Sequence, residues 1–148
     1  MASVAIAPAT AADLDAIVAL ELLGNSHPWP RSLFEDELAR PHAHLDVGRA
    51  ADHRVIAFCN WWCVVGEVHV HAITAHPDVR RAGIGTQLLA HMLARGREAG
   101  ALTATLEVRR GNGPAIALYT RAGFLTVHVR ARYYADNDED ALVMTRSM

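Results

Sequence analysis

Two residues of this chain carry reactive groups in settings where such groups are uncommon. Glu107 sits inside LTATLEVR, where Leu102, Ala104, Leu106 and Val108 alternate with Thr103, Thr105 and Glu107, so a strand here turns the carboxylate away from its apolar face. A mid-strand carboxylate is either solvated at an edge or set in a cleft to receive a proton. Tyr119 lies in NGPAIALYTRAGF, about two helical turns beyond Asn112 and nearly on the same face. Such a tyrosine either packs in a core or offers its hydroxyl as an acid, and Asn112 either caps its helix, contacts a ligand, or does both. A third feature is the stretch DVRRAGIGTQLLAHML, in which Arg80, Gly83 and Gly85 directly precede an apolar helical pattern. Helix N-termini leave backbone N–H groups unpaired and carry partial positive charge, so they hold phosphate, and glycines let the ligand approach. The pattern lacks the GK[ST] of a Walker loop and the third glycine of a dinucleotide fingerprint. R-x-x-G-x-G remains, which by itself also fits an ordinary helix start.

Other reactive side chains are weaker candidates. His69 and His71, in HVH, share one face of a strand expected beside Glu107. With a carboxylate they could hold zinc, which would suit a metal-dependent hydrolase or a binding protein. A water-relay role or ordinary strand hydrogen bonding are the alternatives, and no metal is expected. Cys59 and Cys63 are the only cysteines, do not form C-x-x-C and have no adjacent activating signature, so reduced thiols and no acyl-enzyme are expected.

The elements that must position these groups follow from periodicity. A short strand at residues 4–7 precedes TAADLDAIVALELL, where Thr10 and Asp13 make a capping-box-like start to a first helix. After HPWP, Ser32 with Glu35 three residues later opens a second. AHLDVGRA, RVIAFCNWWCVV and EVHVHAITA read as strands joined by antiparallel hairpins. IGTQLLAHMLARGREAG places Leu88, Leu89, Met92 and Leu93 on one helical face and stops at Gly100. ALTATLEV is a strand; a last helix is capped at Asn112, carries Pro114 near its start and ends before Gly123; two closing strands start from Phe124 and Ala141. The expectation is a single mixed α/β (α+β) domain over residues 1–148. With 20% charged residues and a net charge of −2, no nucleic-acid footprint is expected. No apolar run of ~20 residues and no signal-like N-terminus is present, so the expected setting is the cytosol, without a membrane.

The motif at Arg80, Gly83 and Gly85 resembles the acetyl-CoA pyrophosphate loop of the GNAT acetyltransferases, [RQ]-x-x-G-x-[GA]. LEVRRGNGPAIALYTRAGF resembles that family's strand, asparagine-capped helix, tyrosine and GF turn in order and spacing, and the likeness extends over nearly all the chain. HPWPRSLFEDEL and RARYYADNDEDALVM resemble the RimI branch, which acetylates the N-terminus of a ribosomal protein. The sequence departs from that branch at Pro30, where serine is usual after the tryptophan, and in HVHAITAHP, where an asparagine-containing strand is more frequent.

The resemblance implies a GNAT fold: a central, mostly antiparallel sheet flanked by helices, with two parallel strands splayed apart at the acetyl-CoA site. It implies acetyl-CoA as cosubstrate, bound by Ala75, Val79, Arg80, Arg81, Ala82, Gly83, Ile84, Gly85, Thr86, Asn112 and Tyr119. It implies Glu107 as general base, acting through water, Tyr119 as general acid, and direct transfer in a ternary complex. The implied acceptor is a protein N-terminal α-amine, the N-terminal alanine of small-subunit ribosomal protein 18, bordered by Trp29, His71, Ala72, Tyr133 and Tyr134. A lysine or small-molecule amine is the alternative acceptor, and a non-catalytic acyl-CoA sensor the alternative of another class. The expected assembly is a monomer or weak homodimer.

Overall fold

Apolar residues alternate in AHLDVGR to build β2 (Ala43–Arg49), and the nearly continuous apolar run VIAFCNWWCV builds β3 (Val55–Val64), buried on both faces; the two pair antiparallel. The computed structural model describes residues 3–80 and 82–148. β1 (Ala5–Pro8) lies on the outer side of β2, and β4 (Glu67–Ala75) continues the antiparallel run from β3. The chain then crosses through α3 (Ile84–Glu98) and returns as β5 (Thr103–Arg109), parallel to β4. β7 (Glu139–Ser147) pairs antiparallel with β5, and β6 (Leu125–Tyr134) lies outermost. The seven-stranded order is β1-β2-β3-β4-β5-β7-β6, the mixed, mostly antiparallel sheet expected from the sequence.

Helices cover both faces because each has a single apolar stripe to bury. α1 (Leu14–Gly24) and α2 (Arg31–Ala39) set Leu14, Ile17, Leu20 and Phe34 on Leu45, Val47 and Phe58. On the other face, Leu88, Leu89, Met92 and Leu93 of α3 and Tyr119 of α4 (Gly113–Arg121) join Trp61, Val68, Val70, Leu106 and Val108.

Three local expectations shift. A 3-10 turn at Ala11–Asp13 precedes α1, with the Thr10 N–H donating to Asp13 Oδ2 at 2.9 Å. Ser32 does not cap α2: Pro30 occupies that position with φ −71° and ψ 159°, and the helix begins at Arg31. The fixed φ of proline suits the extended N-cap conformation, and its carbonyl accepts the Leu33 N–H at 3.1 Å, with no side-chain cap. Leu102, expected on the inward face, is 74% exposed because it precedes β5, whose buried alternation begins at Ala104.

The decisive feature lies between β4 and β5. Their pairing runs only from Glu67↔Thr103 to Val70↔Leu106, although β4 continues to Ala75 and β5 to Arg109. At that point β4 bulges: Asn60 of β3 opposes Ala72 and Trp61 opposes Val70, leaving His71 without a partner. A bulge bends its strand and interrupts pairing. Beyond it β4 stays registered with β3, while β5 stays with β7 as far as Ala141, and a gap opens between them.

Candidate active site

A cleft of about 800 Å³ occupies this gap and reaches both faces of the sheet. His71 and Glu107 are the residues immediately following the last paired positions of β4 and β5, so both stand at its mouth. Ala104, Leu106 and Val108 are buried and Glu107 faces the opposite way, as the alternation requires. Its side chain is 34% exposed, and Oε1 lies 3.8 Å from Arg130 Nη2. Tyr119 lines the cleft from α4, is 8% exposed and packs on Phe124 at 5.9 Å between ring centroids. Burial pushes its phenol up to about 12, with the nearby Tyr134 adding to the rise.

The expected cofactor side is assembled from backbone. Gly83 takes the N-cap position of α3 with φ 80°, a left-handed conformation that costs other residues energy. Ile84, 2% exposed, anchors the first turn in the core. A Cβ on Gly85 would stand 3.3 Å from Leu118 Cδ2 of α4, so the glycine permits the close approach of the two helices. Ala75, Val79 and Ala82 are partly buried against the core, Arg80 is exposed, and Thr86 faces the groove between α3 and α4. Arg81 lies outside the described residues. Asn112 lines the cleft and caps α4, accepting the Ala115 N–H on Oδ1 at 3.2 Å. Its oxygen serves the cap, which leaves the amide N–H groups as the donors it can offer a ligand. The left-handed glycine, the cradle at Gly85 and the opened strand pair suit a phosphate-bearing, extended group.

The opposite wall is assembled from side chains. Trp29, His71, Ala72 and Tyr134 line the cleft on this side. Trp29 packs on Phe34 at 5.5 Å, and its N–H donates at 2.9 Å to Oε2 of Glu21, a carboxylate only 5% exposed. The α1–α2 loop is tied to the β6–β7 turn: His27 Nδ1 is 3.2 Å from Asp136 Oδ2, which accepts from Arg109 Nη2 at 2.6 Å. Arg109 also lies 3.9 Å over the Tyr134 ring. Of the two tyrosines expected here, only Tyr134 borders the cleft; Tyr133 is 45% exposed and stacks edge-on against Tyr134 at 5.2 Å. Consecutive strand residues point to opposite faces, so the pair could not both face the cleft.

Sequence reading missed Glu21, Glu37, Asn60 and Arg109. Glu37 is 1% exposed and accepts the Trp62 Nε1–H at 2.8 Å and Arg40 Nη1 at 3.2 Å. The Asn60 Nδ2 donates to the His44 carbonyl at 3.1 Å, and its Oδ1 is buried with no hydrogen-bond partner among the described residues. No spacing signal marks these groups; buried acceptors become visible only when their donors arrive from other elements. His69 pairs with Glu67 of its own strand at 2.6 Å, and among the described residues no three His, Cys, Asp or Glu side chains converge to hold a metal.

Comparison with known proteins agrees with this geometry. The acetyltransferase (GNAT) family matches residues 14–124. The [ribosomal protein bS18]-alanine N-acetyltransferase of Salmonella typhimurium is 34% identical over 89% of this chain and 89% of its own. N-alpha-acetyltransferase RimI of Mycobacterium tuberculosis is 36% identical over 97% of this chain and 92% of its own. The crystal structure of the ribosomal-protein-S18-alanine N-acetyltransferase from Escherichia coli superposes with TM-score 0.88 at 29% identity, covering 97% of this chain and 93% of that one. With a strand pair opened at a bulge, a glycine-led helix start and relatives of this kind over nearly its whole length, the chain belongs to the GNAT family, in its RimI branch, and is an acetyl-CoA-dependent N-acetyltransferase.

Proposed function

We propose that this enzyme acetylates the α-amine of a protein N-terminus, with the N-terminal alanine of ribosomal protein bS18 as the acceptor suggested by its relatives. The observation that carries the reading is that Glu107 of β5 and Tyr119 of α4 line one cleft through the opened β4–β5 pair. Residues 1–148 would work as one catalytic domain, as a monomer or weak homodimer. Bound acetyl-CoA would supply a thioester carbonyl to be attacked and a thiolate to leave. The backbone from Val79 to Thr86 would hold its pyrophosphate, the Asn112 amide its pantetheine arm, and Trp29, Ala72 and Tyr134 the incoming peptide. Cys59 and Cys63 are not cleft residues, and burial raises the Cys59 thiol well above its usual range, with Asp46 adding to the rise. Direct transfer in a ternary complex therefore needs no enzyme thiol.

Glu107 is assigned as proton acceptor and Tyr119 as proton donor. Moving a proton from an α-ammonium (~8) to an ordinary glutamate (~4.3) is uphill by roughly 5 kcal/mol, so water shares the proton. A phenol held near 12 is a poor acid toward a free thiol of ~8.5, by roughly 5 kcal/mol. The same burial makes a thiolate more basic, so the donation is matched when it accompanies departure of the sulfur within the cleft.

Proton chemistry also favours this acceptor. At pH 7 an α-amine is roughly 10% neutral and a lysine only about 0.04%, some 250-fold less. The test is paired initial rates on a peptide with a free N-terminal alanine and on its N-blocked, lysine-containing counterpart, with the acetyl position mapped by fragmentation mass spectrometry. The free α-amine is expected to react at least ~100-fold faster. Equal rates, or modification mainly at lysine or on a small-molecule amine, would reassign the acceptor.

A further inference from the structure

His71 combines four observations. It is the bulged residue of β4, with no partner on β3, at the point where the strand pair opens. Its ring is exposed to the same cleft that Glu107 lines from β5. The Trp62 indole stands edge-on to it at 4.6 Å, and that indole is fixed by its hydrogen bond to the buried Glu37 carboxylate. In this same cleft Asn60 has a buried acceptor, Oδ1, with no hydrogen-bond partner among the described residues. A polar, well-supported imidazole is thus held where an amine must enter. Resting on Glu107 and Tyr119 as the transfer site, we propose that His71 is a second proton acceptor for the amine nitrogen, sharing with Glu107 the two protons that an ammonium sheds in becoming an amide.

The step balances as follows. An α-ammonium carries three N–H bonds and the product amide one. The first proton passes to the His71 ring nitrogen, freeing the lone pair that forms the C–N bond at the thioester carbonyl. The second passes to Glu107 as the C–S bond breaks, and Tyr119 protonates the leaving sulfur. Of the two protons shed, one restores Tyr119 and one reaches solvent through the open cleft. The imidazole must be neutral to begin. Its walls disfavour charge and lower its pKa, with Glu37 opposing, His69 assisting and Glu107 opposing that shift. Arg40 beside Glu37 and Arg130 near Glu107 add charge next to those partners, and Glu21, Arg109, Asp136 and Glu139 line the same cleft. A free imidazole (~6.5) is a closer match to an α-ammonium (~8) than a free carboxylate (~4.3).

The test uses the full-length enzyme with whichever peptide amine the wild type acetylates fastest. His71→Gln and His71→Ala are expected to lower kcat about 10- to 100-fold at pH 7 while KM for the peptide changes less than about threefold. The acid limb of wild-type kcat should be lost or displaced in His71→Gln, and added imidazole should restore His71→Ala turnover about tenfold over an enzyme-free control. Independently of turnover, the NMR titration midpoint of His71 should fall in Glu107→Gln, since Glu107 raises it. Unchanged kcat and pH profile, a loss confined to KM, or no rescue in variants that bind CoA normally by calorimetry would overturn the proposal. Wild-type turnover by Glu107→Gln would instead overturn the transfer-site reading on which it rests.

Discussion

The two walls of the cleft are built by different means. The expected cofactor side, at the start of α3 and beside α4, depends on backbone: a left-handed Gly83, a Gly85 that admits Leu118, and, at the cleft itself, an Asn112 cap. The opposite wall depends on side chains from three places, Trp29 in the α1–α2 loop, His71 on β4 and Tyr134 at the end of β6, with Trp62 on β3 backing His71 from behind. Buried Glu21 and Glu37 hold that second wall by accepting hydrogen bonds from its members. Phosphate can be held by main-chain N–H groups, which restricts a few positions severely to glycine. A peptide amine needs shaped and titratable side chains, which many residue combinations can supply.

Substitutions can break or sharpen this contrast. The largest effect is expected from Tyr119→Phe, which removes the hydroxyl proposed as proton donor: kcat should fall about 10²- to 10⁴-fold with KM for acetyl-CoA nearly unchanged. Because burial holds this phenol near 12, it stays protonated through pH 8–10, and wild-type kcat should show no alkaline fall from its ionisation in that range. Steady-state kinetics against pH reads both.

Gly83→Val comes next, since a β-branched residue resists φ 80° and its side chain obstructs the loop. Loss of two phosphate hydrogen bonds, about 3 kcal/mol, would weaken CoA about 100-fold by calorimetry in protein that remains folded. Unchanged affinity would remove the backbone wall from phosphate binding. On the side-chain wall, Glu37→Leu leaves the Trp62 indole N–H without its acceptor and should cost about 2 kcal/mol in urea unfolding, whereas Glu37→Gln keeps an acceptor and should cost about half as much.

Smaller changes separate roles within one residue. Asn112→Asp preserves the cap but removes the amide donors, so stability should hold within ~0.5 kcal/mol while CoA affinity drops a few-fold. Equal CoA affinity would reduce Asn112 to a cap. The smallest effect is expected from Asp136→Asn, which loosens the link between His27 and Arg109: unfolding should be unchanged and KM for the peptide should rise about two- to threefold.

The backbone features of the expected cofactor side are legible in the sequence. R-x-x-G-x-G, the asparagine-proline start of α4 and the apolar stripe of α3 each arise within a few neighbouring residues, where conformational preference acts directly. Glu107 was readable in its orientation, because alternation along β5 decides which face it takes. The side-chain wall was only partly readable. Trp29, His71, Ala72 and Tyr134 came from family resemblance, and the same resemblance included Tyr133, which strand alternation turns away.

Local sequence thus determined the elements, their stripes and the glycine-led helix start, since these depend on residues within one or two turns of each other. Only the tertiary structure decided where β4 and β5 part. That depends on a bulge set by the register of His71 against β3, while β5 follows β7. It also decided that Glu37 supports Trp62 across 25 positions, and that the Asn60 oxygen is buried without a partner among the described residues. Polar groups in the interior take their meaning from whichever donors packing brings to them, and no local pattern specifies those donors.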